Sequence, residues 1–91
     1  MPKFVIERDM PNIGKLSNSE WQEAAQKSCD VIRELGPEVQ WIHSYVTRDK
    51  IFCVYHAANE QMVQDHAQRA GFPANHIRKV ERVIDPATAE L

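Results

Sequence analysis

The chain of 91 residues has few of the features that mark specialised classes of protein. Three glycines offer little material for a phosphate-binding loop, and no P-loop, dinucleotide fingerprint or nucleophile elbow occurs. The longest uninterrupted apolar run, residues 51–55, is far shorter than the roughly 20 residues that a membrane-spanning helix needs. The first residues contain no apolar signal segment. We therefore expect a protein that does not enter or cross a membrane.

Cysteine is scarce, and neither sign of charge dominates. Cys29 and Cys53 form no C-x-x-C pair and are too few for a disulfide scaffold, so we expect two free thiols in a reducing cytoplasm. Eleven basic against thirteen acidic side chains give a net charge of −2. The basic cluster at residues 78–82 is interrupted by Glu81, so a nucleic-acid partner is not expected.

What the chain does contain is the composition of an ordinary globular domain. Hydrophobic residues make up 43% and charged residues 26%, which argues against disorder. The length predicts a single domain over residues 1–91, in which residues 85–91 form a polar C-terminal tail. A chain this short buries only about 60–65% of its unfolded surface, so its core is expected to be thin.

Apolar spacing and capping signals predict the first two elements. Residues 4–9 begin as a β-rich run. The charged triplet 7–9 at its end could supply a carboxylate or a guanidinium to a ligand, but a solvated strand end is the more common role of such residues. Ser17 and Glu20 form a capping-box pattern that starts a helix. Apolar residues at three- and four-residue spacing continue this helix until Gly36 ends it.

Four further elements are predicted after the first helix. They are strands at 39–47 and 51–57, a helix between Asn59 and Gly71, and a last strand at 77–84. The order β-α-β-β-α-β is that of the ferredoxin-like α+β fold, a four-stranded antiparallel sheet with two helices on one face. We expect two such subunits to form a dimeric α/β barrel.

The hairpin predicts which side chains share a face. Placing Arg48 and Asp49 in the turn pairs Thr47 with Lys50 and sets the register. One face then carries Trp41, His43, Tyr45, Phe52, Val54 and His56. The other, which we expect the helices to cover, carries Ile42, Ser44, Val46, Ile51, Cys53 and Tyr55. Because monomers rarely leave an aromatic patch bare, we expect a homodimer through the first face, or a ligand, to cover it.

Histidine and cysteine raise the alternative of a metal site. Imidazole is the commonest transition-metal ligand and thiolate is a soft donor, so the candidate ligands are His43, His66 and Cys53. The candidate pocket walls are Trp41, His43, Tyr45 and Tyr55. No H-x-x-x-H, H-x-H or C-x-x-C spacing is present. A histidine placed like His66 is more often a hydrogen-bonded core residue than a ligand, and Cys53 is most simply a small buried hydrophobe.

Several stretches together resemble a family of small bacterial proteins built on a domain of unknown function. They are residues 39–46, 52–55 and 66–73, with 4–8 and 85–88 at the two ends. The matching motifs fall on Trp41, His43, Ser44, Tyr45, Cys53, Tyr55, His66 and Gly71. The resemblance implies a ferredoxin-like subunit that dimerises through its sheet. Because a characterised relative is described as nickel-binding, it also implies nickel or another divalent transition metal as the cofactor.

Three functions are left open by these observations. The leading hypothesis is a cytoplasmic homodimer that binds a divalent transition metal, such as nickel, or a small ligand. A second is a cofactor-free monooxygenase or isomerase, in which His43, Tyr45 or His66 acts as general acid or base. A third is a structural or regulatory dimer without a ligand. A pocket beside these residues, or an ion held by two or more of them, distinguishes the three.

Overall fold

A computed structural model describes residues 1–91 and contains the six predicted elements. They are β1 (Lys3–Asp9), α1 (Asn18–Leu35), β2 (Val39–Val46), β3 (Lys50–Ala57), α2 (Glu60–Ala70) and β4 (His76–Lys79), with 3-10 turns at Ile13–Lys15 and Pro86–Glu90. The strands form one antiparallel sheet in the order β2-β3-β1-β4. This confirms the ferredoxin-like α+β fold. Neither helix is long and apolar enough to span a membrane.

The helix ends lie where the capping residues predict them. The Ser17 side chain accepts a hydrogen bond from the Glu20 N–H, and the Ser17 N–H donates to the Glu20 carboxylate at 3.1 Å. Asn59 caps α2 by accepting from the Met62 N–H at 3.0 Å. Gly71 ends α2 with φ of 76°, a left-handed conformation that glycine adopts without a Cβ clash. Both helix starts and both ends are therefore confirmed.

The last strand is shorter than predicted. β4 covers His76–Lys79, whereas the sequence pattern predicted residues 77–84. The reason is its partner, because β4 pairs only with β1, and that register runs from His76 opposite Glu7 to Lys79 opposite Phe4. Beyond this point β1 offers only Lys3, whose carbonyl accepts one more hydrogen bond, from the Val80 N–H at 2.8 Å. Val83 and Ile84 are consequently exposed at 66% and 70%.

The core lies between the helices and one face of the sheet. Its buried residues are Phe4, Ile6, Val39, Ile51, Cys53, Tyr55, Ala57 and Val63. Along β1 and β3 every second residue faces the helices, as the two-residue period of a strand requires. The opposite face of the sheet is not covered by any element of this chain. Val5, Phe52 and Val54 on its two central strands, with His43 and Tyr45 on the edge strand β2, are named the open face below.

A β-bulge in β2 changes the predicted assignment of faces. The register confirms Tyr45 opposite Phe52 and His43 opposite Val54, but Trp41 lies opposite Tyr55 and Ile42 has no partner. The extra residue shifts the side-chain alternation by one. The prediction that Trp41 shares the exposed face with His43 is therefore wrong, since Trp41 lies on the helix side. The expected burial of Ile42 is wrong as well, since it is 41% exposed.

Candidate functional site

A cavity of about 400 Å³ lies between α1 and the sheet. Fifteen residues line it and twelve of them are hydrophobic. Trp21, Ala24 and Ala25 of α1 form one wall, and Trp41 and Tyr55 from the bulged hairpin form the other. Because the two alanines offer only methyl groups to this space, α1 covers the cavity without filling it. The cavity volume is typical of small-molecule sites.

Arg8 is the one charged residue in the lining of this cavity, and it is buried. Its side chain is 1% exposed, because the alternation of β1 places it on the same face as Phe4 and Ile6. The guanidinium donates from Nε to Cys53 Sγ at 3.4 Å, from Nη1 to the Pro73 carbonyl at 2.6 Å and from Nη2 to the Tyr55 hydroxyl at 3.3 Å. None of the four ion pairs in the protein includes Arg8.

The interpretation of residues 7–9 as a solvated strand end is therefore wrong at its middle residue. The signal that could have found Arg8 is the two-residue period of β1, which places residues 4, 6 and 8 on one face. Arg8 was expected in solvent because arginine is rarely fully buried, although the strand period favoured the inner face. Phe72 covers the guanidinium from the loop after α2, with its ring centre 5.6 Å from Cζ.

Tyr55 is the polar partner of Arg8 on β3. The side chain is 2% exposed, and burial raises the pKa of Tyr55 to about 12, with a smaller contribution from Cys53. The nearby Arg8 charge acts in the opposite direction and does not overcome burial. The phenol is thus protonated at neutral pH. It presents a neutral hydroxyl, and not a phenolate, to the guanidinium.

His66 lies behind the cavity wall and is fully buried. Its Nε2 is 3.1 Å from Ser28 Oγ, a hydroxyl that belongs to a lining residue, and its ring packs 5.0 Å from the ring of Tyr55. Burial, and next the Arg8 charge, lower the pKa of His66 to about 4. The ring is therefore neutral at pH 7. His66 is thus a core residue with one hydrogen bond, at Nε2, while its buried Nδ1 has no partner.

The predicted pocket residues are divided between the two faces of the sheet. Trp41 and Tyr55 line the cavity, where the Trp41 indole N–H donates to Ser44 Oγ at 2.9 Å. His43 and Tyr45 belong to the open face, where their rings meet edge-on with centres 4.9 Å apart. Tyr45 is 60% exposed. The structure thus brings together half of the predicted pocket.

The three predicted metal ligands are also separated. His43 is exposed on the open face, whereas Cys53 and His66 are buried on the helix side. No group of three or more His, Cys, Asp or Glu side chains that could hold a metal ion is assembled within this chain. The residues of a single chain therefore do not fit a closed metal site of the predicted composition.

Comparison with known proteins gives one family and one related structure. The family model described as nickel responsive protein SCO4226-like matches residues 4–80. The crystal structure of SCO4226 from Streptomyces coelicolor A3(2) has the same fold, with a TM-score of 0.75 at 19% sequence identity, over 90% of this chain and 99% of that chain. No curated protein matches. Since the family model covers most of its length, the chain belongs to the SCO4226-like family of nickel responsive proteins.

Proposed function

We propose that this protein is a small-molecule-binding homodimer that holds its ligand in the cavity between α1 and the sheet. The observation that carries the proposal is the cavity itself, about 400 Å³ in a chain of 91 residues. A pocket lined mostly by apolar side chains, with a small number of polar or charged groups, is the usual form of a ligand site.

The homodimer is supported by the open face of the sheet. Val5, Phe52 and Val54 are half-buried there, and Tyr45 is 60% exposed beside the exposed His43. The helices cover only the other face, so this apolar and aromatic surface has no partner within the chain. A second copy placed face to face buries the same patch on both subunits, as a two-fold interface requires.

Both tryptophans of the chain, Trp21 and Trp41, line the cavity and report on its contents. We expect 1-decanol, a neutral apolar probe, to change tryptophan emission saturably. In Ala25→Leu the larger side chain takes the space of roughly two ligand CH₂ groups at about 0.8 kcal/mol each, so affinity falls about tenfold. The measurement is a fluorescence titration of both proteins.

Ala89→Leu is the matched control, since Ala89 is exposed in the C-terminal turn and does not line the cavity. It is expected to bind decanol like the unmodified protein. Two outcomes contradict the proposed function. One is the absence of any saturable response to both decanol and decanoate, and the other is equal affinity of Ala25→Leu and the unmodified protein.

The family description supports nickel binding as a second function. We propose His43 as a ligand, because it is exposed on the edge strand of the open face, where a partner subunit supplies the remaining ligands. Calorimetric titration of metal-free protein with nickel is expected to show binding that His43→Ala weakens at least about tenfold, the scale of losing one coordinating ligand. Gln22→Ala, which removes an exposed polar side chain from α1 on the other side of the sheet, should leave it unchanged. An equal loss in both variants, or no binding, contradicts this function.

A further inference from the structure

We infer that the cavity selects a small carboxylic acid with an apolar body, and that Arg8 binds its carboxylate. The inference rests on the proposed function, since it names the class of ligand that the cavity holds. Nothing else in the cavity lining carries a full charge. The guanidinium therefore decides which functional group of a ligand is favoured there.

The first support is the absence of an anionic partner for a buried cation. Arg8 is 1% exposed, and its hydrogen bonds go to a sulfur atom, a carbonyl and a hydroxyl. Removing a charge from water is costly unless a charge of opposite sign compensates it. The raised pKa of Tyr55 keeps that neighbour neutral. A ligand carboxylate in the cavity supplies the missing compensation.

The second support is unused hydrogen-bonding capacity. A guanidinium has five N–H donors, and Arg8 uses one on each of its three nitrogens. One N–H remains on each terminal nitrogen. The two oxygens of a carboxylate can accept from both, and an ionised acceptor makes the stronger hydrogen bonds to arginine. A neutral alcohol can accept only part of this donor set and carries no compensating charge.

The third support is the charge next to the cavity. A neighbouring depression shares Trp21 and Val46 with the cavity and is also lined by Lys15 and Arg48. The chain as a whole has a net charge of −2, so these two cations are a local feature. Clustered charge of one sign raises the local concentration of ions of the opposite sign. Lys15 and Arg48 therefore attract an anionic ligand to the side of the cavity that borders this depression.

The cavity also limits the ligand to one negative charge and a modest size. Arg8 is the single cation of the lining, and twelve of the fifteen lining residues are hydrophobic, so a dianion would leave charge uncompensated. At roughly 30 Å³ per water-sized group, the volume of about 400 Å³ holds on the order of a dozen non-hydrogen atoms. Decanoate, with an aliphatic chain, and 2-naphthoate, with a flat ring system, both meet these limits.

The test compares each acid with its alcohol of matched size, decanol or 2-naphthalenemethanol, by calorimetry at pH 7. We expect the unmodified protein to bind at least one acid about tenfold or more tightly than its alcohol, the scale of one charge-assisted contact. In Arg8→Met this preference is lost, while the alcohol binds as before. Arg78→Met removes the same charge from an exposed position on β4 and should keep the preference. Which acid binds then shows whether the apolar body is a chain or a ring.

Arg8→Lys and a spectroscopic readout keep the test decisive if Arg8→Met does not fold. Lysine retains the charge but not the paired N–H groups, so the preference for the acid is expected to shrink several-fold. In the unmodified protein, the Arg8 Nε–H resonance should shift with the acid and not with the alcohol. Equal affinity for acid and alcohol overturns the inference and leaves the proposed function intact. A preference that survives in Arg8→Met also overturns it.

Discussion

Replacing Val54 with lysine is expected to convert the protein from a dimer into a monomer. Val54 is half-buried on the central strand β3, directly between Val5 and His43 in the register of the open face. In a two-fold interface each subunit contributes one copy of the substitution, so two lysine charges of the same sign are buried without partners. At several kcal/mol per buried unpaired charge, the dissociation constant is expected to rise by about a hundredfold or more.

Sedimentation equilibrium over a range of concentrations measures this effect. The unmodified protein is expected at twice the chain mass of 10.5 kDa, and Val54→Lys at the chain mass itself. Ile84→Lys is the matched control, because it makes the same change at an apolar residue that is 70% exposed outside the sheet. It should remain dimeric. An unmodified protein that is monomeric throughout, or a Val54→Lys variant that stays dimeric, contradicts the homodimer.

The same variant separates the two proposed functions. Val54 lies on the face of the sheet opposite the cavity, so Val54→Lys should retain the tryptophan response to decanol. Nickel binding, in contrast, is proposed to use His43 together with a partner subunit and should be lost with the dimer. Loss of both activities would point to disruption of the fold, which far-ultraviolet circular dichroism detects.

Folding stability is expected to decrease as the pH is lowered from about 6.5 to 4. His66 has a pKa of about 4 in the folded protein against 6.5 in the unfolded chain, mainly because it is buried. Between these values the unfolded state binds the proton and the folded state does not, so acid favours unfolding. The full difference is worth on the order of 3 kcal/mol, present above pH 6.5 and lost as the pH approaches 4.

Urea unfolding at several pH values measures this dependence. His66→Gln keeps a polar group near Ser28 but cannot titrate, so its stability should change less over the same range. Carboxylates titrate in this range as well, and the comparison between the two proteins removes their contribution. His76→Gln makes the same change at an exposed histidine and should behave like the unmodified protein. Identical pH profiles of His66→Gln and the unmodified protein would show that His66 does not carry the effect.

The secondary structure was predictable because its determinants are close together in the chain. Ser17 with Glu20 and Asn59 with Met62 cap their helices over three residues, and the short turn between Thr47 and Lys50 sets the hairpin register. Such contacts form in the same way whatever the rest of the chain does. The end of β4 was not predictable in this way, since it depends on the length of a partner distant in sequence.

The candidate site was predicted only in part, because its key residues act at long range. The bulge that brings Trp41 to the cavity arises in the pairing of β2 with β3 and leaves no unambiguous pattern in either strand. His66 was correctly placed in a buried stripe, but its contact with Ser28 depends on the packing of α2 against α1. His43 remains an exposed candidate ligand whose role depends on a second chain.

The sequence by itself determined the order of elements, the helix caps and the register of the hairpin near its turn. Only the tertiary structure decided that Arg8 is buried without an anionic partner and that a cavity lies above it. The physical reason is that both depend on residues far apart in the chain, since Arg8 meets Cys53, Tyr55 and Pro73 only after β1 has paired with β3 and α2 has packed. Local patterns set where strands and helices begin, whereas a charged pocket requires the assembled layers.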